Sequence, residues 1–433
     1  MPGSGSVLIL GGALALLLVA TVAGAATGEG GVGSSPAIGP EIPISLDDTR
    51  FPDYDPAVAW NASAHEFLVV WRDGRSEDVY GLTEIYGRRV SADGVALGAD
   101  FRISGPTFQP GSYKSAPSVA WSDGAGEYLV VWEDARDHNE RGMEIYGRRV
   151  SADGSARGVD FRISGPNPIS DDTNPVVASS GSGYLVVWQG KRDPEPRRND
   201  LFGRRVSAGG APIGLAFRIS GRRATVYERD AAVAWNGSEY LVVWEDGRNA
   251  PGGGVSDIFA RRVSAEGSVI GADFPIGGRN AAAYQREPAL AWSGTEYLVV
   301  WQDGRNAATR GSDIYGRRLT AEGEGLEPDR RLSGAAATSY ERNPTVAWNG
   351  TEYLVVWADR RNFTTRGYDV YGRRVSAEGL GAGAEFRISG PGALGDERSL
   401  AVASSGSCYL VVWADGRAQG ERGWDIFGRG VLG

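Results

Sequence analysis

The sequence predicts an all-β protein, a closed seven-bladed β-propeller with four-stranded antiparallel blades, and three observations carry that prediction. First, Leu-Val-Val-Trp or its equivalent ends at Trp71, Trp132, Trp188, Trp244, Trp301, Trp357 and Trp413, at spacings of 61, 56, 56, 57, 56 and 56 residues. Second, turn-forming dipeptides separate the strand-like runs within each copy. Third, the two ends of the repeated region supply complementary parts of one blade. Gly (64) and Pro (21) make up close to a fifth of the 433 residues, so long helices are not expected. A hydrophobic share of 41%, with 13 Trp, 17 Tyr and 12 Phe, is ample for a large core.

Each copy reads as four short strands. The first is apolar, as in Ala231-Ala-Val-Ala-Trp235; the second is Glu239-Tyr-Leu-Val-Val-Trp244; the third is Asp257-Ile-Phe-Ala-Arg-Arg-Val263; the fourth resembles Phe161-Arg-Ile-Ser164. Asn236-Gly237 and Asn349-Gly350 join first to second strands, and Asp93-Gly94 and Asp153-Gly154 join third to fourth, dipeptides suited to tight hairpins. Pro56, Pro117, Pro175, Pro288 and Pro344 fall at the expected start of the first strand, where no ladder donor is lost. The last copy stops at Gly433 after its third strand, while Glu41-Ile-Pro-Ile-Ser45 precedes the first copy and matches Phe101-Arg-Ile-Ser104. That N-terminal strand is expected to complete the last blade and close the ring, which a linear β-solenoid would leave unexplained. Seven Trp close second strands, and Trp60, Trp121, Trp235, Trp292 and Trp348 close first strands; all twelve are expected in the core. Ser179 and Ser404 replace the first-strand Trp in the third and seventh copies, which should pack differently.

Ahead of the repeats, residues 1–25 carry no charged side chain and hold the apolar run Val7 to Ala20 before Ala23-Gly24-Ala25, so they read as a secretory signal peptide. No Lys or Arg precedes Val7, which leaves an uncleaved anchor as the alternative. Residues 26–36 read as a flexible spacer, and 37–433 as the propeller. An exported chain, extracellular, at the cell surface or periplasmic, is expected, with no membrane span once the signal is removed. Its single Cys408 leaves it without an intramolecular disulfide. The net charge of -9 with interleaved signs gives no basic stripe, so nucleic acid is not an expected partner.

Trp301-Gln-Asp303-Gly-Arg305, Asp313-Ile-Tyr315 and Glu322-Gly323 resemble the repeat of TolB-type, WD40-like propellers and of secreted bacterial proteins built from Leu-Val-Val-Trp repeats. The likeness runs through all seven copies. It implies a propeller used as a binding platform, and its motif is a structural signature that carries no activity.

Candidate functional residues fall into three sets. Asp-x-Arg follows the second strand as Asp73/Arg75, Asp134/Arg136, Asp246/Arg248, Asp303/Arg305, Asp359/Arg361 and Asp415/Arg417, and an acid opens every third strand, as at Glu84, Asp257 or Asp425. An Arg and an acid bracketing one loop invite a bidentate pair pinning its ends, a structural role. Tyr113, Tyr227, Tyr284 and Tyr340 stand eight residues before a first-strand Trp, and Arg229, Arg286 and Arg342 follow three of them; these are candidate ligand contacts, with packing between blades as the alternative. Asp47, Asp48, Asp53 and Asp55, with Asp171 and Asp172, could offer oxygens to Ca²⁺, although calcium-loop spacing is absent; no cofactor is otherwise expected.

Catalytic motifs are lacking. Ser91-Ala-Asp-Gly94 lacks the continuation of a sialidase Asp-box, and His65 and His138 lie in different copies. The sequence therefore points to a monomeric, non-enzymatic scaffold that binds a glycan, cell-envelope component or protein through its long-loop face. The alternatives are a glycoside hydrolase or lyase with an acidic cluster in the central channel, marked by residues that do not repeat, and a self-associating adhesive protein.

Overall fold

In the computed structural model, the described residues are 36–433 apart from 46–50, 76–81, 107–111, 166–170, 192–198, 222–226, 250–254, 279–282, 335–339, 393–394, 418–422 and the Arg366 side chain. The expected signal peptide and all but the last residue of the spacer lie outside them.

Blade 1 is made of Tyr54–Asn61, Glu66–Asp73, Glu84–Ser91 and Ala96–Arg102, hydrogen-bonded in that order. Blades 2 to 6 repeat the order over 114–162, 172–218, 228–275, 285–331 and 341–387. Blade 7 takes Glu397–Ser404, Cys408–Asp415 and Asp425–Leu432 from the C-terminal end, and Ile38–Pro43 pairs antiparallel on its outer edge, Ile42 opposite Gly428. The chain forms a seven-bladed β-propeller. Among the described residues, three single-turn helices, His138–Arg141, Ala307–Arg310 and Phe363–Arg366, sit in second-to-third loops.

The continuous apolar run of the second strand is explained by burial on both faces. Leu68 and Val70 face blade 2, packing with Tyr128, Val130 and Trp132. Phe67, Val69 and Trp71 face the other way and pack with Leu410 and Val412 of blade 7. The same alternation gives one core cluster at each of the seven blade interfaces, so the ring is closed by packing as well as by the N-terminal strand.

All seven second-strand Trp are fully buried. The first-strand Trp are only half-buried, because they end the innermost strand next to its hairpin; each leans on the opposite aromatic, as in Trp60–Phe67 at 4.7 Å and Trp348–Tyr353 at 4.5 Å. The interfaces of blades 2–3 and 6–7, where Ser179 and Ser404 stand, receive no first-strand Trp.

First strands are longer than the apolar run suggests. That of blade 4 begins at Glu228, and the register breaks between Arg229 and Ala232. A β-bulge recurs there in every blade, with Asp55, Ala116, Asn174, Asp230, Glu287, Asn343 and Ser399 at φ of 48 to 53°. The prolines expected at the strand start lie just after this bulge, inside the strand, where the break in pairing spares the missing N–H.

Six blade edges carry a polar lock, blade 3 having Gly190 where the others have the lock Asp. Trp71 Nε1 donates to Asp73 Oδ2 (3.1 Å), and Arg75 donates to both Asp73 oxygens (2.8 and 2.7 Å) and to Asp100 of the fourth strand (2.7 Å). The guanidinium lies over Tyr86 at 3.9 Å. Arg248 binds Asp246 and Asp273 over Phe259, Arg305 binds Asp303 and Asp329 over Tyr315, and Arg417 binds Asp415 and Glu41 over Phe427. Glu41 brings the N-terminal strand into the lock of blade 7. In blades 4 to 6 the expected pairing of this Arg with the acid opening the third strand does not form among the described residues. That acid stands directly opposite the lock Asp, as Asp246 does to Asp257, and it takes a different cation, such as Arg387 for Asp369 (2.6 Å) or Lys114 for Glu84 (2.8 Å).

Crowding of acids there has a consequence for Glu228, Glu341 and Glu397, which open three first strands and are fully buried. Burial, then the carboxylates of Asp246 and Asp200, push Glu228 up to about 8; burial, then Asp359 and Asp313, despite a hydrogen bond with Ser333, push Glu341 to about 8; Glu397 is raised likewise. Blade 5 carries the neutral isostere Gln285 at this position, donating to Asp303 and accepting from Ile258 N–H.

Two predictions follow from the packing and the locks. Trp301→Ala should destabilise the propeller by about 3–5 kcal/mol, read by denaturant unfolding. Because Glu228 and Glu341 hold protons in the fold that they release when unfolded, their contribution is full below about pH 4.5 and is lost as pH rises through about 8, and Glu397 acts in the same direction. The melting temperature should therefore fall from pH 5 to pH 8, and Glu341→Gln should lessen the fall; an unchanged slope in that variant would refute a protonated Glu341.

Candidate functional site

The bulges place seven side chains around the inner wall of the ring. A cavity of about 410 Å³ is lined by first-strand residues of five blades, among them Asp55, Ser118, Asn174, Asp230 and Ser399. It lies toward the ends of the first strands that meet the second-to-third and blade-to-blade loops; Gly247 N–H, for instance, donates to the Tyr227 carbonyl. The long-loop face thus holds this mouth of the channel.

Two positions here differ between blades. The bulge residue is Asp55, Ala116, Asn174, Asp230, Glu287, Asn343 or Ser399, and the residue after the second-strand Trp is Arg72, Glu133, Gln189, Glu245, Gln302, Ala358 or Ala414. These two positions vary from blade to blade, whereas the second-strand Leu-Val-Val-Trp core changes little.

Blades 4 and 5 contribute three carboxylates. Glu245 is fully buried; its Oε1 accepts from Arg229 (2.9 Å), and its Oε2 has no hydrogen-bond partner. Asp230 faces the cavity, with Arg229 at 3.5 Å. Burial, and then the Glu245 carboxylate, push Asp230 up to about 6 against the pull of Arg229. Glu287 accepts from Asn343 N–H (2.7 Å) and is raised by burial against that bond and against Arg342. On the other side, Asp55 accepts from Ser399 (3.2 Å), and Glu133 accepts from Asn174 N–H (2.6 Å) and Ser115 (2.9 Å); burial raises both. Asp230, raised to about 6 and facing the cavity, can give and take a proton near neutral pH.

The candidates from sequence distribute around this mouth. Arg229 stacks on Tyr227 at 4.7 Å and Arg286 on Tyr284 at 4.4 Å. Arg342 does not pair with Tyr340: the second-to-third loop of its own blade lays Tyr368 over it at 3.7 Å, and Tyr340 faces Arg360 at 5.9 Å. Tyr284 packs on Gly304, whose absent Cβ would fall 2.6 Å from the ring. Tyr113 and Tyr340 are exposed. Of the suggested calcium ligands, Asp47 and Asp48 lie outside the described residues, buried Asp53 accepts from Gly74 N–H (3.3 Å), and Asp55 belongs to the channel; no group of three or more His, Cys, Asp or Glu suited to a metal is found among the described residues. Sequence reasoning passed over Asp230, Glu245, Glu287 and Glu133. The signal that could have found them is divergence between aligned copies.

No protein-family model matches the sequence, and no curated protein is similar to it. Among solved structures, a Dyadobacter fermentans protein of unknown function is similar at 12% identity and a TM-score of 0.52, covering 90% of this chain and 97% of its own. A phage phi92 endosialidase gives 9% and 0.53, covering 91% and 69%, and a puromycin hydrolase 15% and 0.53, covering 83% of this chain and half of its own. At these identities the likeness establishes the fold. The expectation of a non-enzymatic chain is nevertheless corrected, since the solved propellers it matches are mostly enzymes. The repeated signature that suggested a bare scaffold describes the blade edges and is silent on the non-repeating mouth. No described helix is long and apolar enough to cross a membrane.

Glu245→Gln removes the negative neighbour of Asp230 and should lower the Asp230 pKa from about 6 toward the ordinary range. Carboxyl-carbon NMR titration reads this directly, and an unmoved midpoint would show that the two groups are not coupled.

Proposed function

We propose that this chain cleaves glycosidic bonds, as a hydrolase or lyase, at the channel mouth on its long-loop face. The observation that carries the proposal is the set of non-repeating carboxyl groups contributed by adjacent blades 4 and 5, a concentration of unlike residues that blade construction does not require. The endosialidase similarity supports it as precedent for glycan cleavage on this kind of ring. The Leu-Val-Val-Trp, Asp-x-Arg and Asp-Ile-Tyr motifs support a scaffold of the TolB type, and the apolar run Val7 to Ala20 supports export to where glycans are met.

In hydrolysis, Asp230 in its protonated form donates to the glycosidic oxygen as the C–O bond breaks, water adds to the anomeric carbon, and the Glu287 carboxylate takes the proton of that water. Glu245, fully buried, is a positioning residue: it orients Arg229 and keeps Asp230 protonated to higher pH.

Release of reducing ends from a panel of polysaccharides tests the proposal. Asp230→Asn and Glu287→Gln should each lower kcat about 100-fold or more. Activity should decline as pH rises through about 6, and Glu245→Gln should move that decline to lower pH. Full activity in both Asp230→Asn and Glu287→Gln, or no cleavage of any polysaccharide, would sink it.

A further inference from the structure

At the position before the bulge, cationic side chains stand on one side of the mouth only, Arg72 of blade 1 occupying the neighbouring second-strand position. Arg229, Arg286, Arg342 and Arg398 precede the bulge residue in blades 4 to 7, whereas Tyr54, Ser115 and Thr173 hold that position in blades 1 to 3. Each guanidinium lies over an aromatic ring, on Tyr227 (4.7 Å), Tyr284 (4.4 Å), Tyr368 (3.7 Å) and Trp424 (4.5 Å) respectively. Stacking fixes the plane of the fork while leaving its N–H edges available.

Two of the four forks are already committed: Arg229 to Glu245 at 2.9 Å, and Arg398 to Asp396 at 2.7 Å. The others are not. Arg286 approaches Glu245 only at 3.6 Å, and Arg342 makes no hydrogen bond or ion pair among the described residues. In both, the buried Nε has no acceptor. An oriented guanidinium with an unmet donor, next in sequence to the bulge residue of its blade, calls for an anion, and its two parallel N–H groups match the two oxygens of a carboxylate. The local charge agrees. Although the whole chain carries -9, four arginines stand before the bulge in blades 4 to 7 and none in blades 1 to 3, which favours an anionic group on this half of the mouth.

We infer that the glycan cleaved at this mouth is anionic, with carboxylates on its sugar rings, and that Arg286 and Arg342 bind one such carboxylate. The inference rests on the cleavage proposed above. It assigns these arginines to specificity, next to the carboxyl groups that carry the chemistry.

Calorimetry on the full chain carrying Asp230→Asn, which binds without cleaving, tests it with paired probes: oligogalacturonate against galactotriose, oligomannuronate against mannotriose, and a sulfated galacto-oligosaccharide. At least one uronate should bind 10-fold or more tighter than its neutral partner, and the preference should weaken with salt. Arg286→Gln and Arg342→Gln should each remove most of it, Arg342→Lys should keep part, and melting curves verify that each variant is folded. Equal binding of neutral and acidic partners, a preference that survives both Gln variants, equal affinity for the sulfated probe, or no binding at all would each overturn the inference. Should a neutral oligosaccharide be bound and cleaved, the inference falls and the cleavage proposal stands. A uronate held by these arginines but left intact by the unmodified chain would sink the cleavage proposal and leave the anion site.

Discussion

The rest of the structure depends on the lock of Trp, Asp, Arg and a third-strand aromatic at the blade edge. One buried carboxylate, Asp303 for example, takes the indole N–H of Trp301 and both ends of the Arg305 fork, so three strands are tied where the long loops leave the blade. Burying Asp303 unpaired would be costly; with charge-assisted donors on both oxygens, the geometry becomes the low-energy choice. The Arg then serves twice, lying on Tyr315 at 3.9 Å and reaching Asp329 of the outer strand. Five blades show this arrangement with an outer acid of their own, and in blade 7 the outer acid is Glu41 from the N-terminal strand, so the device that builds a blade also helps close the ring; blade 3 has Gly190 in place of the Asp.

Because edges and interfaces are fixed by repetition, the inner strands are free to differ at their bulges. A bulge at φ near 50° turns one side chain per blade toward the channel, a left-handed conformation that Asp and Asn tolerate better than most residues. Ala116 and Glu287 hold the same conformation, so the neighbouring pairing enforces it regardless of the residue. Seven equivalent sockets on a rigid scaffold thus admit seven different groups. This is how a symmetric fold makes an asymmetric site.

Carboxyl desolvation appears twice with different outcomes. At the blade edge, Glu341 is sealed away, hydrogen-bonded to Ile314 N–H, and has an amide equivalent in Gln285, so protonation there is structural. At the mouth, Asp230 is raised only to about 6 and still faces the cavity, so its proton remains within reach of a ligand. Access to the channel distinguishes a neutral structural acid from an acid able to do chemistry.

By itself, the sequence determined the seven-fold repeat, the four strands of each blade, the buried second-strand Trp and the N-terminal strand that completes blade 7. These are legible because each depends on local patterning, with hydrophobic runs, turn dipeptides and a stray strand at one end. Tertiary structure decided the rest. Glu228 to Asp230 do not look like strand, being charged and outside the apolar run, and only pairing with Glu245 and Asp246 across a bulge makes them so. Arg342 finds Tyr368 and not the nearer Tyr340, since a loop position is set by the blade around it. Asp230, Glu245 and Glu287 come from three strands of two blades, and their proximity, burial and mutual repulsion exist only once the ring is closed.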